Sequence, residues 1–304
     1  MHHPDRLLSR RTLLAGLASS AAIAPGTAHA FASPDPPPLI ARDYAIDREG
    51  FRTRLLRRGP APDEGDPLTP PDGARLLTYR SGGLQLAAWR SVPEGGRRPA
   101  VLFLHGGNAL GDGHWDLVQP YIRAGYVAMV PALRAENGLP GAFSGFYDET
   151  DDVLAAGRAL AAQPDVDPHR LFLAGHSVGG VLTLLAAMTS PMFRGAASFS
   201  GNPSAFAFFR RFPKDIRFDA GDIREFEMRS AVCYATSFKS PVLMLHGAAE
   251  RQMDGSADLT TRRARSAGLE VDSISVPGDH FTAIPQETAR SLAFFARLAN
   301  RPGG

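Results

Sequence analysis

Serine is a weak nucleophile at neutral pH. It becomes useful when a neighbouring base takes its proton and a pair of donors receives the charge that builds on the attacked carbonyl oxygen. The run Gly175-His176-Ser177-Val178-Gly179 sets one serine between two glycines, after the apolar stretch Leu171-Phe172-Leu173-Ala174 and before an Ala/Leu-rich segment. A strand entering and a helix leaving such a pentapeptide make a sharp turn, in which the glycines remove side chains that would collide. Ser177 then projects at the helix N-terminus, in a strained conformation open to a carbonyl, and the chemistry this predicts is acyl transfer. The Val178 amide is one expected oxyanion donor. The second is expected from His105-Gly106-Gly107-Asn108, which follows the apolar run Val101-Leu102-Phe103-Leu104; Gly107 is the first candidate and Asn108 the alternative.

Two histidines follow Ser177, His246 and His280. His280 lies in Pro277-Gly278-Asp279-His280-Phe281, a loop after the last apolar strand, and is the expected base, whereas His246 ends the run Val242-Leu243-Met244-Leu245 and is expected to hold a turn. The third member is a carboxylate that accepts the imidazole N–H and stabilises imidazolium. Glu250, four residues beyond His246, is the expected acid; Asp254 is the alternative, with helix capping as a sufficient explanation of its presence. This constellation requires no metal and no organic cofactor. Cys233 is the only cysteine, so no internal disulfide can form. No glycine turn surrounds it, and it reads as a small buried residue.

The elements that must position these groups alternate between strands and helices, the pattern of a mostly parallel sheet covered on both faces. A hairpin is expected over 76–89, with Ser81-Gly82-Gly83 at its turn, and further strands at 100–104, 126–130, 171–174, 196–199, 242–245 and 271–276. Helices fit at 115–124, 148–162, 178–189, 257–267 and 285–299. The stretch 201–240 holds no clear strand and is expected to form a cap over about 202–240. Phe206, Phe208, Phe209, Phe212 and Phe226 are expected either to line an apolar pocket under the nucleophile or to seal that cap onto the body. Arg134, Glu136 and Asn137 follow a strand end near the site, where they would orient a polar substrate group or pair ionically with neighbours.

With 304 residues, 44% hydrophobic and 21% charged, the chain suits one large α/β domain, expected over 75–304. A net charge of +2 and dispersed basic pairs argue against nucleic-acid binding. Residues 31–74 form a proline-rich extension that cannot contribute a core strand, with one amphipathic island over 44–58 that suits a short helix. Residues 1–30 carry Arg10-Arg11 before leucines, an apolar stretch and Ala28-His29-Ala30, the layout of a twin-arginine-type signal peptide cleaved before Phe31. That predicts recognition by an export machinery, a periplasmic or secreted protein, and no membrane anchor once the signal is removed.

At His105-Gly106-Gly107, Asp165-Val166-Asp167-Pro168-His169-Arg170, the run 175–180, the run 241–250 and Asp279-His280-Phe281, the chain resembles the dienelactone hydrolase and prolyl-oligopeptidase-like (peptidase S9-like) branch of the α/β-hydrolases. The resemblance implies an α/β-hydrolase fold and serine hydrolase chemistry without naming a substrate. Glu250 stands where related hydrolases usually carry aspartate, Ser177 stands where true dienelactone hydrolases carry cysteine, and no β-propeller precedes the catalytic part. The first expectation is cleavage of a small carboxylic ester. The alternative is an exopeptidase or amidase acting on a short peptide, although no dedicated pair of acidic residues for an N-terminal amine can be placed from sequence. A non-catalytic ligand-binding protein on the same fold is the third reading.

Overall fold

Residues 33–92 and 95–301 are described by a computed structural model; the signal-like stretch 1–30 and the cleavage site before Phe31 lie outside the described residues. The hairpin forms as β1 (Ala74–Ser81) and β2 (Leu84–Ser91), paired antiparallel with Ser81 opposite Leu84. There follow β3 (Arg98–Leu104), α2 (Asp112–Arg123), β4 (Val127–Pro131), α3 (Glu149–Ala161), β5 (Val166–His176), α4 (Val178–Thr189) and β6 (Ala196–Phe199). The chain closes with β7 (Val242–Gly247), α7 (Arg251–Ser266), β8 (Val271–Val276) and α8 (Ile284–Ala299). One eight-stranded sheet results, in the order β1-β2-β4-β3-β5-β6-β7-β8, antiparallel only where β2 meets β1 and β4.

Alternation along the central strands divides the core in two. On β3, Ala100, Leu102 and Leu104 face one apolar cluster with residues of α3, α4 and α7, while Val101 and Phe103 face the other with Trp115, Val118 and Tyr121 of α2 and Phe294, Phe295 and Leu298 of α8. β5 divides in the same way, Leu171 and Leu173 on one side and Phe172 and Ala174 on the other. Both faces of these strands are buried, which is why they read as continuous apolar runs.

The expected cap contains α5 (Ala205–Arg211), a 3-10 turn (Pro213–Asp215), α6 (Ile223–Glu227) and a 3-10 segment (Ala231–Ser237). Of the two roles open to its aromatic residues, sealing is the one observed. Phe206, Phe209 and Phe226 are buried together with Phe143, Phe146 and Phe218, and Phe206 stacks on Phe226 at 5.3 Å between centroids. Phe208, half-buried, packs edge-on against Phe146 and lies against Phe212.

The helix expected over 44–58 is shorter than its amphipathic pattern suggested. Helix α1 (Tyr44–Gly50) starts under the Asp43 carboxylate, which accepts from the Ala45 and Ile46 amides, and ends where Phe51 turns extended at φ −94° and ψ 144°. Beyond that point the extension pairs with the cap instead: Leu55 bridges Phe218, and the Leu56 amide donates to the Arg217 carbonyl at 2.8 Å. Tyr44 is fully buried, with its hydroxyl donating to the Met228 carbonyl at 2.8 Å.

A buried ion pair knots extension, cap and body together. Arg229 Nη1 donates to Glu225 Oε2 at 2.6 Å, Nε to the Gly145 carbonyl at 2.7 Å, and Nη2 to Thr53 Oγ1 at 2.7 Å and the Ser144 carbonyl at 2.8 Å. Glu225 in turn accepts from the Thr53 hydroxyl and the Arg54 amide. Removing one partner of such a pair strands the other charge in a dry interior, a loss of about 3–5 kcal/mol. Arg229→Met is therefore expected to lower the unfolding free energy by about that amount, and Glu225→Gln added to it should recover part of the loss. Urea unfolding of the two variants checks both signs.

Candidate active site

Ser177 caps the N-terminus of α4 with φ 57° and ψ −115°, a left-handed geometry that a side-chain-bearing residue rarely holds. Two missing side chains make room for it. A Cβ on Gly175 would lie 2.4 Å from the Gly179 carbonyl oxygen, and one on Gly179 would lie 2.2 Å from the Leu104 carbonyl oxygen. The Ser177 amide donates to the Phe199 carbonyl at 2.8 Å, fixing the turn against β6. Ser177 itself is half-buried.

Glu250 and His280 meet above the ends of β7 and β8. His280 Nδ1 lies 2.7 Å from Glu250 Oε1. A carboxylate can only accept, so the proton sits on Nδ1 and Nε2 is left free to act as a base. Glu250 Oε2 accepts from the Gly247 amide at 3.0 Å and from Ser200 Oγ at 2.5 Å. Burial alone would raise this carboxyl, but the hydrogen bonds from His280 and Ser200 outweigh it and hold the pKa below the ordinary value. Asp254, the alternative acid, falls in the first turns of α7, just beyond Glu250.

Two local devices set His280. Asp279 Oδ1 accepts from the Phe281 and Thr282 amides and from the Thr282 hydroxyl, folding a tight turn around the histidine and lowering the Asp279 pKa to about 2. His176, next to Ser177, presents Nε2 at 2.8 Å to the His280 carbonyl oxygen, and a carbonyl can only accept, so this nitrogen is the donor. The two rings lie 4.6 Å apart. Residue 176 thus ties the β5–α4 turn to the base loop. Burial, and then the neighbouring His280, depress His176 to about 4, so it stays neutral around pH 7.

The expected oxyanion donors share one small cavity, lined by Gly107 and Val178 with Leu104, His105, Leu133 and Glu136. Gly107 adopts φ +70°. Of the two candidates for the second donor, the Asn108 amide is already engaged, donating to Asp63 Oδ2 at 2.8 Å. His105 Nε2 lies 3.0 Å from Glu136 Oε2, and this buried carboxylate outweighs desolvation to raise the His105 pKa. Arg134 forks onto Asp152, with Nε at 2.8 Å and Nη2 at 2.7 Å, and Asn137 bonds Leu110 and Asp66. All three residues expected near the mouth are thus engaged by neighbours. A larger cavity of about 370 Å³, lined by Arg52, Arg58, Arg134 and Tyr147 among others, includes none of Ser177, Glu250 and His280. Among the described residues no group of three or more His, Cys, Asp or Glu side chains is arranged to hold a metal ion, and no helix is long and apolar enough to cross a membrane. Cys233 is buried, and burial pushes its thiol up to about 12.

The sheet order, the serine at a strand–helix turn and the carboxylate and histidine loops beyond it define a serine hydrolase of the α/β-hydrolase fold. Residues 123–301 match the prolyl oligopeptidase family, and the chain belongs to that family. It is 26% identical over 194 residues to the uncharacterized peptidase YtmA of Bacillus subtilis, covering 59% of this chain and 75% of that protein. Among solved structures, it is similar to the Pyrococcus horikoshii acylaminoacyl peptidase, with a TM-score of 0.65 and 21% identity over 76% of this chain and 43% of that one. It is also similar to a hyperthermophilic esterase of Pyrobaculum calidifontis, with a TM-score of 0.63 and 16% identity over 76% of this chain and 88% of that one. The chain thus spans less than half of the acylaminoacyl peptidase.

Sequence reasoning passed over Asp63, His176, Ser200 and Glu287. The last two stand directly behind Glu250: Ser200 Oγ, bonded to Glu250, lies 3.4 Å from Glu287 Oε1. Glu287 is fully buried, and burial, followed by the charge of Glu250, pushes its pKa up to about 8. It is therefore neutral at pH 7 in the folded protein. A carboxyl raised on folding stabilises fully below its unfolded pKa, and that contribution drains away as pH climbs to about 8. Glu287→Gln keeps the neutral shape without the titration. Its stability relative to the parent is expected to rise from pH 5 and to level off once pH passes about 8, read in urea midpoints, whereas a constant difference across that range would contradict the assignment.

Proposed function

We propose that the protein is a carboxylic ester hydrolase working through an acyl-enzyme at Ser177. His280 Nε2 takes the Ser177 proton as Oγ attacks the carbonyl carbon, Glu250 steadies the imidazolium that forms, and the amides of Gly107 and Val178 receive the oxyanion. The ester bond then breaks, His280 returns the proton to the departing alcohol, and a water activated by the same imidazole releases the acid. The observation that carries this reading is the 2.7 Å contact between His280 Nδ1 and Glu250, set beside the strained Ser177 turn through His176. An ester is preferred because its alcohol leaves with less protonation than an amine needs, and the fold is shared with an esterase over 88% of that chain.

Amide or peptide cleavage uses the same atoms, and the family together with the peptidase YtmA favours it as the second reading. It demands stronger protonation of a poor leaving group. A fluorophosphonate probe is expected to label the parent and not Ser177→Ala, with circular dichroism unchanged; Ser177→Ala and His280→Ala should each lose about 10⁴-fold or more in kcat. Short p-nitrophenyl esters are expected to turn over faster than aminoacyl anilides, and the reverse order would transfer the assignment to the second reading. Equal labelling of parent and Ser177→Ala would remove both.

The proposal includes export, resting on Arg10-Arg11 and Ala28-His29-Ala30. Mass spectrometry of protein recovered from the periplasm or medium is expected to show Phe31 as the first residue. An uncleaved N-terminus there would overturn this part.

A further inference from the structure

The second oxyanion donor sits on a turn with no ladder or helix to stiffen it. Gly107 holds φ +70° between the end of β3 and the start of α2, and only what packs around it can fix the direction of its amide. From one side Gly106 presses on the nucleophile turn, so that a Cβ there would lie 3.0 Å from His176 Nδ1 and 3.4 Å from Ser177 Cβ. The other side is covered by the proline-rich extension. Asp63 Oδ2 accepts from the Asn108 amide at 2.8 Å, has Asn108 Nδ2 at 3.4 Å, and would be 3.1 Å from a Cβ on Gly107.

Asp63 has no other hydrogen bond and no ion pair among the described residues, and the charged group that presses on it from the cap is another acid, Asp215. The segment carrying Asp63 is pinned before and after it. The Ala61 amide donates to the Ala135 carbonyl at 3.0 Å, and Asn137 Nδ2 donates at 2.8 Å both to the Asp66 carbonyl and to the Leu110 carbonyl just past the turn. Gly65 lies so close to this pin that a Cβ there would sit 2.5 Å from Asn137 Nδ2 and 2.9 Å from Ala109 Cβ.

We infer that Asp63 is a positioning residue for the oxyanion hole: the N-terminal extension is a strap whose carboxylate fixes the Gly107–Asn108 peptide and thereby aims the Gly107 amide at the reacting carbonyl oxygen. This rests on the donor roles proposed above for Gly107 and Val178. The Gly107 N–H lies in the Gly106–Gly107 peptide, between Gly106 against the nucleophile turn and the next peptide, held by Asp63; a donor flanked in this way needs little reorganisation when charge develops, which is the condition for an effective oxyanion donor. A carboxylate beside a developing negative charge opposes it electrostatically, so what the site gains from Asp63 is the acceptor rather than the charge.

The test uses the full mature chain with a short p-nitrophenyl ester and a boronic acid, whose tetrahedral adduct fills the oxyanion position. Asp63→Ala is expected to lower kcat by about 10- to 100-fold, less than outright loss of a donor, with KM and melting temperature nearly unchanged and the boronate inhibition constant raised in proportion. Asp63→Asn keeps the acceptor and should retain kcat within about threefold. Gly65→Ala, which wedges the strap off Asn137, should reproduce the Asp63→Ala pattern, while Glu64→Ala, at the exposed neighbouring carboxylate, should match the parent. Unchanged kcat and boronate affinity in Asp63→Ala, or equal damage from Asp63→Asn, overturns the inference. Ser177→Ala separates the two levels: if the parent is active and Ser177→Ala is not, the hydrolase reading stands and the Asp63 result bears on the strap alone.

Discussion

Ser177 can hold its left-handed turn because the backbones around it pass closer than side chains would allow. Gly179 sits where any Cβ would strike the Leu104 carbonyl of β3, and Gly175 where it would strike Gly179 itself. The turn costs about 1–3 kcal/mol of backbone strain, and that strain is sustained by the buried second half of β5, Leu171 to His176, and by an almost wholly buried α4. The rest of the site inherits its geometry from this point. The Val178 amide is the next in the chain, Gly106 packs on the turn, and His176 reaches back to the base loop. A change in the β5–α4 crossing would therefore move Ser177, the Val178 amide and the loop that carries His280 together.

His280 and Glu250 are set by a second close approach of backbones. A Cβ on Gly247 would meet the Gly278 and Asp279 carbonyl oxygens at 2.7 and 2.8 Å, so the loops after β7 and β8 lie against each other. The Ala249 amide donates to the Gly278 carbonyl at 3.0 Å, which laces them. Glu250 reaches His280 from this platform, where a glutamate has the length to accept from His280 with one oxygen and from Gly247 and Ser200 with the other. With Ser200 spent on Glu250, Glu287 behind it has Oε2 without a protein partner among the described residues. That accords with a neutral carboxyl: an ionised one would face Glu250 across a dry gap.

Most of the sheet could be read from sequence because its signals are local. Apolar runs of strand length separated by periodic helices gave β8 and α4 with their observed bounds, and the glycine pattern around Ser177 marked the strand–helix turn. The chemistry-bearing residues of the second rank were less visible. Ser200 and Glu287 belong to no local motif, and only the parallel pairing of β6 with β7 and the packing of α8 place them behind Glu250. The extension was read correctly as lacking a core strand, yet its periodicity over 44–58 suggested a longer helix than the seven residues of α1. Gly50 is a local stop signal at the end of that helix, and the chain beyond it is held extended by a contact that no local pattern encodes, the pairing of Leu55 with Phe218 from a cap more than 160 residues away.

The extension and the cap are best understood as one layer built from two distant pieces of chain. Each alone is short of apolar surface: α1 has seven residues and α6 five, too few to be stable as isolated helices. Together they bury Tyr44 against Tyr234, Phe218 against Phe209 and Phe226, and the Arg229–Glu225 pair among polar partners drawn from both pieces. That layer is anchored to the body at Ser144, Gly145 and Tyr147, on the loop leading into α3, and it continues directly into the segment that carries Asp63 to the Gly107–Asn108 turn. Proline suits this path because such chain must run extended over a surface without supplying amide donors to a ladder. The proline-rich composition that marks the extension as unfit for the sheet is the same property that lets its described part, 33–74, follow the contour of the cap and reach the Gly107–Asn108 turn.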